Sequence, residues 1–328
     1  MIKWSLTAAV VVLVGWQAWQ LWHQDDIQRV EWNLGWLALA GVVYVVAWLP
    51  SLWFWRRLLH AFGGRVRYAD AARAFYCGHL GKYVPGKATV LVIRAGLIKD
   101  RGSRPGAAAL AATYETLLMV AVGAAVAVAL SPLLLTEELI ARFPSIPYLD
   151  GAIGLLQQTN DRAPYLPAAV VLVIVLCGMP LTSRVLSSIS TRLTPQDLRA
   201  AGLEVRIGTR LLIAGTVAFL ICWAMQGLCL GLVLRGVSPG PFDLADWPVW
   251  TAGIALATVS GFVVLFAPGG IGVREGLLIG VLENQPGVGA QQAVAAALLL
   301  RLVFLAAEIT VSATLYYMVR ARDVPSAG

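Results

Sequence analysis

The chain has 328 residues, of which 59% are hydrophobic and only 13% charged, and its mean hydropathy is +0.74. A soluble domain of this length cannot bury so much apolar side chain, so the composition excludes a soluble fold and specifies an all-α integral membrane protein. A net charge of +7 would suggest nucleic acid in a soluble protein; here the basic residues fall in short loops between apolar runs, where they set topology.

The first apolar run, near 4–22, follows Lys3 as a secretory signal would. Trp16, Trp19 and Trp22 stand where a small-residue cleavage site belongs, which favours an uncleaved span. Further runs long enough to cross a bilayer, about 20 residues, lie near 34–55, 106–130, 164–182, 208–234 and 291–319, so about six transmembrane helices are expected. Placing the N-terminus in the cytoplasm puts 23–33, 131–163 and 235–248 outside. Fifteen of the 25 basic residues then fall in inner segments and four in outer ones, and both termini are cytoplasmic. Segment 131–163 mixes leucines with Glu137, Glu138, Asp150 and Asp161, and reads as an interfacial helix, a lid, or a loop lying on the headgroups.

Two apolar stretches are interrupted. GKYVPGKATVLVIRAGLI runs from Gly81 to Ile98 and LFAPGGIGVREGLLIGVLE from Leu265 to Glu283. In each, a Pro-Gly break, Pro85-Gly86 or Pro268-Gly269-Gly270, is followed by an arginine, Arg94 or Arg274. Proline removes a donor and glycine loosens the backbone, and in a membrane such a break survives only where protein or a wet cavity covers the freed carbonyls. The second arms, Lys87 to Ile98 and Ile271 to Glu283, reach about 20 Å at 1.5 Å per residue, short of the roughly 30 Å hydrocarbon core. They predict re-entrant hairpins over 74–98 and 249–283. Span, hairpin and span thus recur with inverted orientation, 34–130 against 208–319, in one polytopic domain. Residues 1–33 precede the first repeat as a span and external turn, and 164–207 follow as connector span and cytoplasmic loop. Inverted repeats with broken helices are a transporter signature, with the substrate site where the breaks meet.

Topology leaves nine charges inside apolar segments: Lys82, Lys87, Arg94, Arg274, Arg301, Glu115, Glu275, Glu283 and Glu308. A charge at the bilayer centre costs at least about 2.5 kcal/mol, so these residues are paired, hydrated or functional. Lys82 and Lys87 bracket the first break, where lysine suits a phosphate and half-helix N-termini point N–H groups at the same anion; snorkelling toward headgroups is the alternative. For Arg94 and Arg274 the alternative is an ion pair with Glu115 or Glu275. Arg301 and Glu308, seven residues apart on one helix, are too far apart to pair, so each needs a partner elsewhere. Glu308 and Glu115 are each open to two readings, a proton-coupling carboxylate or a structural one. The substrate-binding candidates are therefore Lys82, Pro85, Gly86, Lys87, Arg94, Glu115, Pro268, Gly269, Gly270, Gly272, Arg274, Glu275, Arg301 and Glu308. No catalytic, metal or cofactor motif is present: His23, His60 and His79 share no ligand spacing, and Cys77, Cys177, Cys222 and Cys229 read as packing residues.

At Gly81-Lys82-Tyr83-Val84-Pro85-Gly86-Lys87 with Arg94, at Glu115, at Pro268-Gly269-Gly270-Ile271-Gly272-Val273-Arg274-Glu275 and at Arg301, the chain resembles the lysylphosphatidylglycerol synthase transmembrane-region family of flippase-like membrane domains. The resemblance covers most of the chain from about residue 34 onward. It implies a bacterial plasma (inner) membrane protein that translocates a lipid with a polar headgroup, an anionic phospholipid or polyprenyl-phosphate lipid, without enzymatic activity of its own. The cytosolic transferase domain fused to some family members is missing here. Two other readings stand beside it: a membrane-embedded lipid transferase, and a scaffold subunit that binds an envelope-biosynthesis enzyme or a second copy of itself. No nucleic-acid partner is expected.

Overall fold

The computed structural model describes residues 32–83, 89–99, 101–134, 147–193, 207–238, 243–263 and 272–319. The described residues form helices and their connections, with no strand among them. Four stretches are long and apolar enough to cross a membrane: Leu34–Ala61, Pro105–Ala129, Thr209–Val237 and Ala290–Met318. At 1.5 Å per residue they span about 38 to 44 Å, more than the roughly 30 Å core requires. The chain is a multi-pass membrane protein. Of the other two expected spans, 4–22 lies outside the described residues and 164–182 is helical from Leu166 onward, in the helix Leu166–Leu193.

The first crossing stretch is divided at Trp48 into α1 (Leu34–Ala47) and α2 (Leu49–Ala61). Pro50 sits at the start of α2, where its missing N–H costs least. The Asn33 side chain caps α1, accepting from the Gly35 and Trp36 N–H groups at 3.1 and 3.3 Å. Next come α3 (Tyr68–His79), a 3-10 turn over Leu80–Tyr83, α4 (Thr89–Ile98) and α5 (Pro105–Ala129). Helices α6 (Pro147–Arg162) and α7 (Leu166–Leu193) form the middle, so residues 147–162 of the 131–163 segment are helical. There Ser131 donates to Asn160 Oδ1 at 3.4 Å. The second half comprises α8 (Thr209–Val237), α9 (Trp247–Val263), α10 (Val273–Glu283) and α11 (Ala290–Met318). With 10 and 11 residues, α4 and α10 are about 15 to 17 Å long and cannot cross the bilayer.

Packing follows one pattern in both halves. Helix α3 lies on α4 and α9 on α10; α4 lies on α5 and α10 on α11. Across the halves, α3 leans on α11 while α9 leans on α5, and α1 meets α11 while α8 meets α5. The paired α1 and α2 run against α8 along most of its length. Close approach between apolar helices depends on small residues here, because lipid offers no hydrophobic drive to associate. Gly231 illustrates this: the Trp250 ring of α9 lies so near that any Cβ would overlap it. The core is aromatic at its centre, with Phe54, Trp55, Phe75, Phe219 and Trp223 fully buried.

Candidate functional site

Two separate charge clusters lie inside the helices, and they differ in access. In the first, Arg94 of α4 donates to Glu115 Oε2 of α5 at 2.7 Å, with side-chain exposures of 1% and 3%. Ser51, just after Pro50 in α2, donates to Glu115 Oε1 at 2.6 Å. The guanidinium sits 4.2 Å from the Phe75 ring centroid and 5.2 Å from that of Trp55, so its faces are covered while its edge meets the carboxylate. Gly78 makes room for it, since a Cβ there would crowd Arg94 Cγ. Both Glu115 oxygens thus receive a donor, while the buried Arg94 Nε has no hydrogen-bond partner among the described residues. The ion pair with Glu115 that the sequence offers for Arg94 is present.

The second cluster gathers residues from both hairpins and the last helix. Lys82, on the 3-10 turn, pairs with Glu308 of α11 and donates to the Tyr44 hydroxyl of α1 at 3.2 Å; Tyr44 in turn donates to Glu308. The Lys82 side chain is 35% exposed, whereas Glu308 is 1% exposed. Tyr83 comes close to the same carboxylate. Nearby, Arg301 of α11 pairs with Glu275, whose other oxygen accepts from the Gly272 N–H at 2.7 Å. Gly272 caps α10 at φ +89°, a conformation that favours glycine, and Glu275 three residues on answers its N–H in the manner of a capping box. Arg274 takes no ion pair among the described residues. Its guanidinium lies 5.6 Å from the Phe304 ring centroid, and Phe304 stacks on Tyr44 at 3.8 Å. Arg274 is half-buried, within electrostatic reach of Arg301 and Glu275. The sequence offers Glu275 as its partner; the structure gives that carboxylate to Arg301, because the Gly272 cap turns it toward α11.

Among the described residues the cluster holds three cations, Lys82, Arg274 and Arg301, and two carboxylates, Glu275 and Glu308, with two phenol hydroxyls beside them. An excess of positive charge among apolar helices favours an anion, and the N-terminus of α10 adds its own N–H groups and dipole. Among the described residues no group of three His, Cys, Asp or Glu side chains converges to hold a metal ion.

A third cluster was not anticipated as buried. Asp70, in the first turn of α3, is 3% exposed and accepts from Arg67 and Arg101, each at 2.6 Å. It lies outside the crossing helices, at the base of the first hairpin, where Arg65 N–H also bonds the Gly102 carbonyl at 2.6 Å. Burial raises its pKa, but the two arginine hydrogen bonds and their charges outweigh that and hold the carboxyl below its usual range.

Of the candidates named from sequence, Lys82, Arg274, Glu275, Arg301 and Glu308 come together, Gly272 shapes their ground, and Arg94 and Glu115 form the separate sealed pair. Pro85, Gly86, Lys87, Pro268, Gly269 and Gly270 lie outside the described residues. Tyr44, Ser51 and Phe304 are the partners that sequence reasoning missed. Ser51 carried a signal, a hydroxyl beside a proline in an apolar run; Tyr44 and Phe304 look like any aromatic in a membrane helix.

The family model for the lysylphosphatidylglycerol synthase TM region matches residues 4–311. The chain belongs to this family. The match takes in both hairpins and every helix of the two clusters, and it ties this lysylphosphatidylglycerol synthase TM-region protein to membrane-lipid biology. No curated protein matches the chain.

Proposed function

We propose that this protein is a lipid flippase, moving a lipid with a phosphate-bearing headgroup between leaflets. The observation that carries the reading is the convergence of Lys82, Arg274 and Arg301 from two hairpins and the last helix onto one half-buried place, where the described residues supply two carboxylates. Arginine's fork holds phosphate oxygens in pairs and lysine supplies a point charge. Short helices ending inside a bilayer bring N–H groups to the same region while the lipid's chains stay in hydrocarbon. No covalent step is invoked: cations and flanking aromatic faces bind and orient a headgroup. The fifteen-to-four distribution of basic residues supports cytoplasmic termini, and the family supports a bacterial plasma membrane setting.

The test is reconstitution into liposomes with labelled anionic phospholipids and polyprenyl phosphates, reading each leaflet separately. Transport by the wild-type protein and its loss on combining Lys82→Gln with Lys87→Gln, at unchanged insertion, is the expected result. Equal leaflet exchange in liposomes with and without protein, for every lipid tried, refutes the reading.

A further inference from the structure

Glu308 and Lys82 differ in freedom. The carboxylate is sealed, and its Oε1 receives both the ammonium and the Tyr44 hydroxyl. Its Oε2, equally buried, has no hydrogen-bond partner among the described residues. Lys82 is more than a third exposed and lies within electrostatic reach of the like charges of Arg274 and Arg301. An anion arriving among those cations competes with Glu308 for the same ammonium. The lysine can turn to it; the carboxylate cannot follow and is left buried without its cation, with one oxygen bare.

The other cations on the elements packed against α11 are engaged away from Glu308: Arg73 of α3 covers the Tyr316 ring, eight residues further along α11, Arg235 of α8 donates to the Ser238 carbonyl at 2.8 Å, and Arg210 is exposed in the first turn of α8. Tyr44 of α1 already donates to the carboxylate, and Tyr83 beside Lys82 is a neutral hydroxyl. On α3, Cys77 donates to the Ser312 carbonyl at 3.6 Å and His79 is packed against Trp48, Phe75 and Tyr76. On α8, Cys229 donates to the Ala40 carbonyl at 3.5 Å, and Cys222 is a buried thiol. On α10, Glu275 is engaged by Arg301 and Gly272, and Arg274 lies over Phe304.

We propose that Glu308 takes up a proton when an anionic headgroup draws Lys82 away, so that the lipid anion and a proton occupy the site together. This rests on the flippase reading. A hydronium that enters the place the ammonium leaves gives its proton to the carboxylate, forming the O–H bond of a neutral carboxylic acid and leaving water. Lys82 stays an ammonium and exchanges its carboxylate partner for a phosphate oxygen. The charge brought by a phosphodiester is thereby balanced by the proton, and Tyr44 goes on donating to Oε1.

Calorimetric titration of the full-length protein in detergent with a short-chain phosphatidylglycerol, repeated in buffers of different ionisation enthalpy, counts the protons. Wild type is expected to take up roughly one proton per headgroup, with affinity rising up to about tenfold per unit fall in pH. Glu308→Gln is expected to take up none and to bind with a flat pH dependence. Binding by wild type without proton uptake overturns the coupling and leaves the flippase reading intact. Wild type that binds no anionic headgroup at any pH overturns both. Because the count is made on the unmodified protein, it decides the matter even if the glutamine variant does not fold.

Discussion

Replacing Arg94 by methionine is the sharpest test of the sealed cluster. The change removes the cation 2.7 Å from Glu115 and leaves a carboxylate 3% exposed with only the Ser51 hydroxyl, at 2.6 Å, to stabilise it. Stranding one member of a buried pair costs about 3 to 5 kcal/mol. Loss of the guanidinium against Phe75 and Trp55 adds roughly 0.5 to 2 kcal/mol, part of which the apolar methionine returns by packing. The single variant should therefore lose about 4 kcal/mol. Combining it with Glu115→Leu removes the orphaned charge, at a cost of about 1 kcal/mol for the hydrogen bond Ser51 no longer makes, so the double variant should return to within roughly 1 to 2 kcal/mol of wild type. Reversible unfolding in mixed detergent measures the cycle, and leaflet-resolved lipid transport on the same preparations reads function. A single variant as stable as wild type, or a double variant as unstable as the single, refutes the reasoning. A stable double variant that has lost transport shows instead that the pair serves the substrate.

Arg274→Lys should fold normally, because its charge remains over the Phe304 face, yet transport poorly for want of the bidentate fork; full transport at normal stability sinks a phosphate-clamping role. A double-mutant cycle on Glu275 and Arg301 should give a coupling of about 1.5 to 3 kcal/mol, whereas one on Arg274 and Glu275 should come out well below it, and the reverse order contradicts the geometry. For Asp70, whose folded pKa is lowered, the carboxylate's stabilisation is fully present above its unfolded value, near 3.9, and fades as pH falls through the folded one. The stability gap between wild type and Asp70→Asn should thus be level from neutral pH to about 5 and close only below about 4; a gap that closes near pH 6 would point to another group. A cysteine at Asp161, exposed near the end of α6, should react with an impermeant reagent from the external face alone, and labelling only from the cytoplasm reverses the topology.

Much of the architecture was legible because membrane physics leaves few choices. Apolar length located the crossing helices, and the Pro-Gly breaks located the short ones that follow them. The residues of the site were legible for the same reason: Lys82, Arg274, Glu275, Arg301 and Glu308 are charges where hydrocarbon should be, and that anomaly needs no knowledge of the fold. Their partners were not. Spacing along one helix says that Arg301 and Glu308 cannot meet, but Glu275 and Lys82 reach them from other helices, and only the packing of α10 and the 3-10 turn on α11 brings them there. Asp70 was hidden by its neighbours, since an acid among Arg65, Arg67 and Arg73 reads as part of a solvated loop. The fold buries it between Arg67 and Arg101 because the two ends of the first hairpin close on one another.

The crossed packing of α3 on α11 and α9 on α5 has a consequence for the order in which the molecule is made. Every member of the sealed cluster, Ser51, Trp55, Phe75, Arg94 and Glu115, belongs to the first half, so this charge pair can close as soon as α5 has left the translocon. Lys82 has no such local partner. Its carboxylate is on the last helix, 226 residues further on, and at 5 to 20 residues per second is synthesised roughly 11 to 45 s after the lysine. During that interval one face of α3 lies uncovered and an unneutralised ammonium rests in or near the bilayer, a natural handle for an insertase or for anionic lipid acting as a temporary counterion. A chain stopped before α11 is therefore expected to insert, keep its Arg94 pair, and still be removed by membrane proteolysis as unfinished.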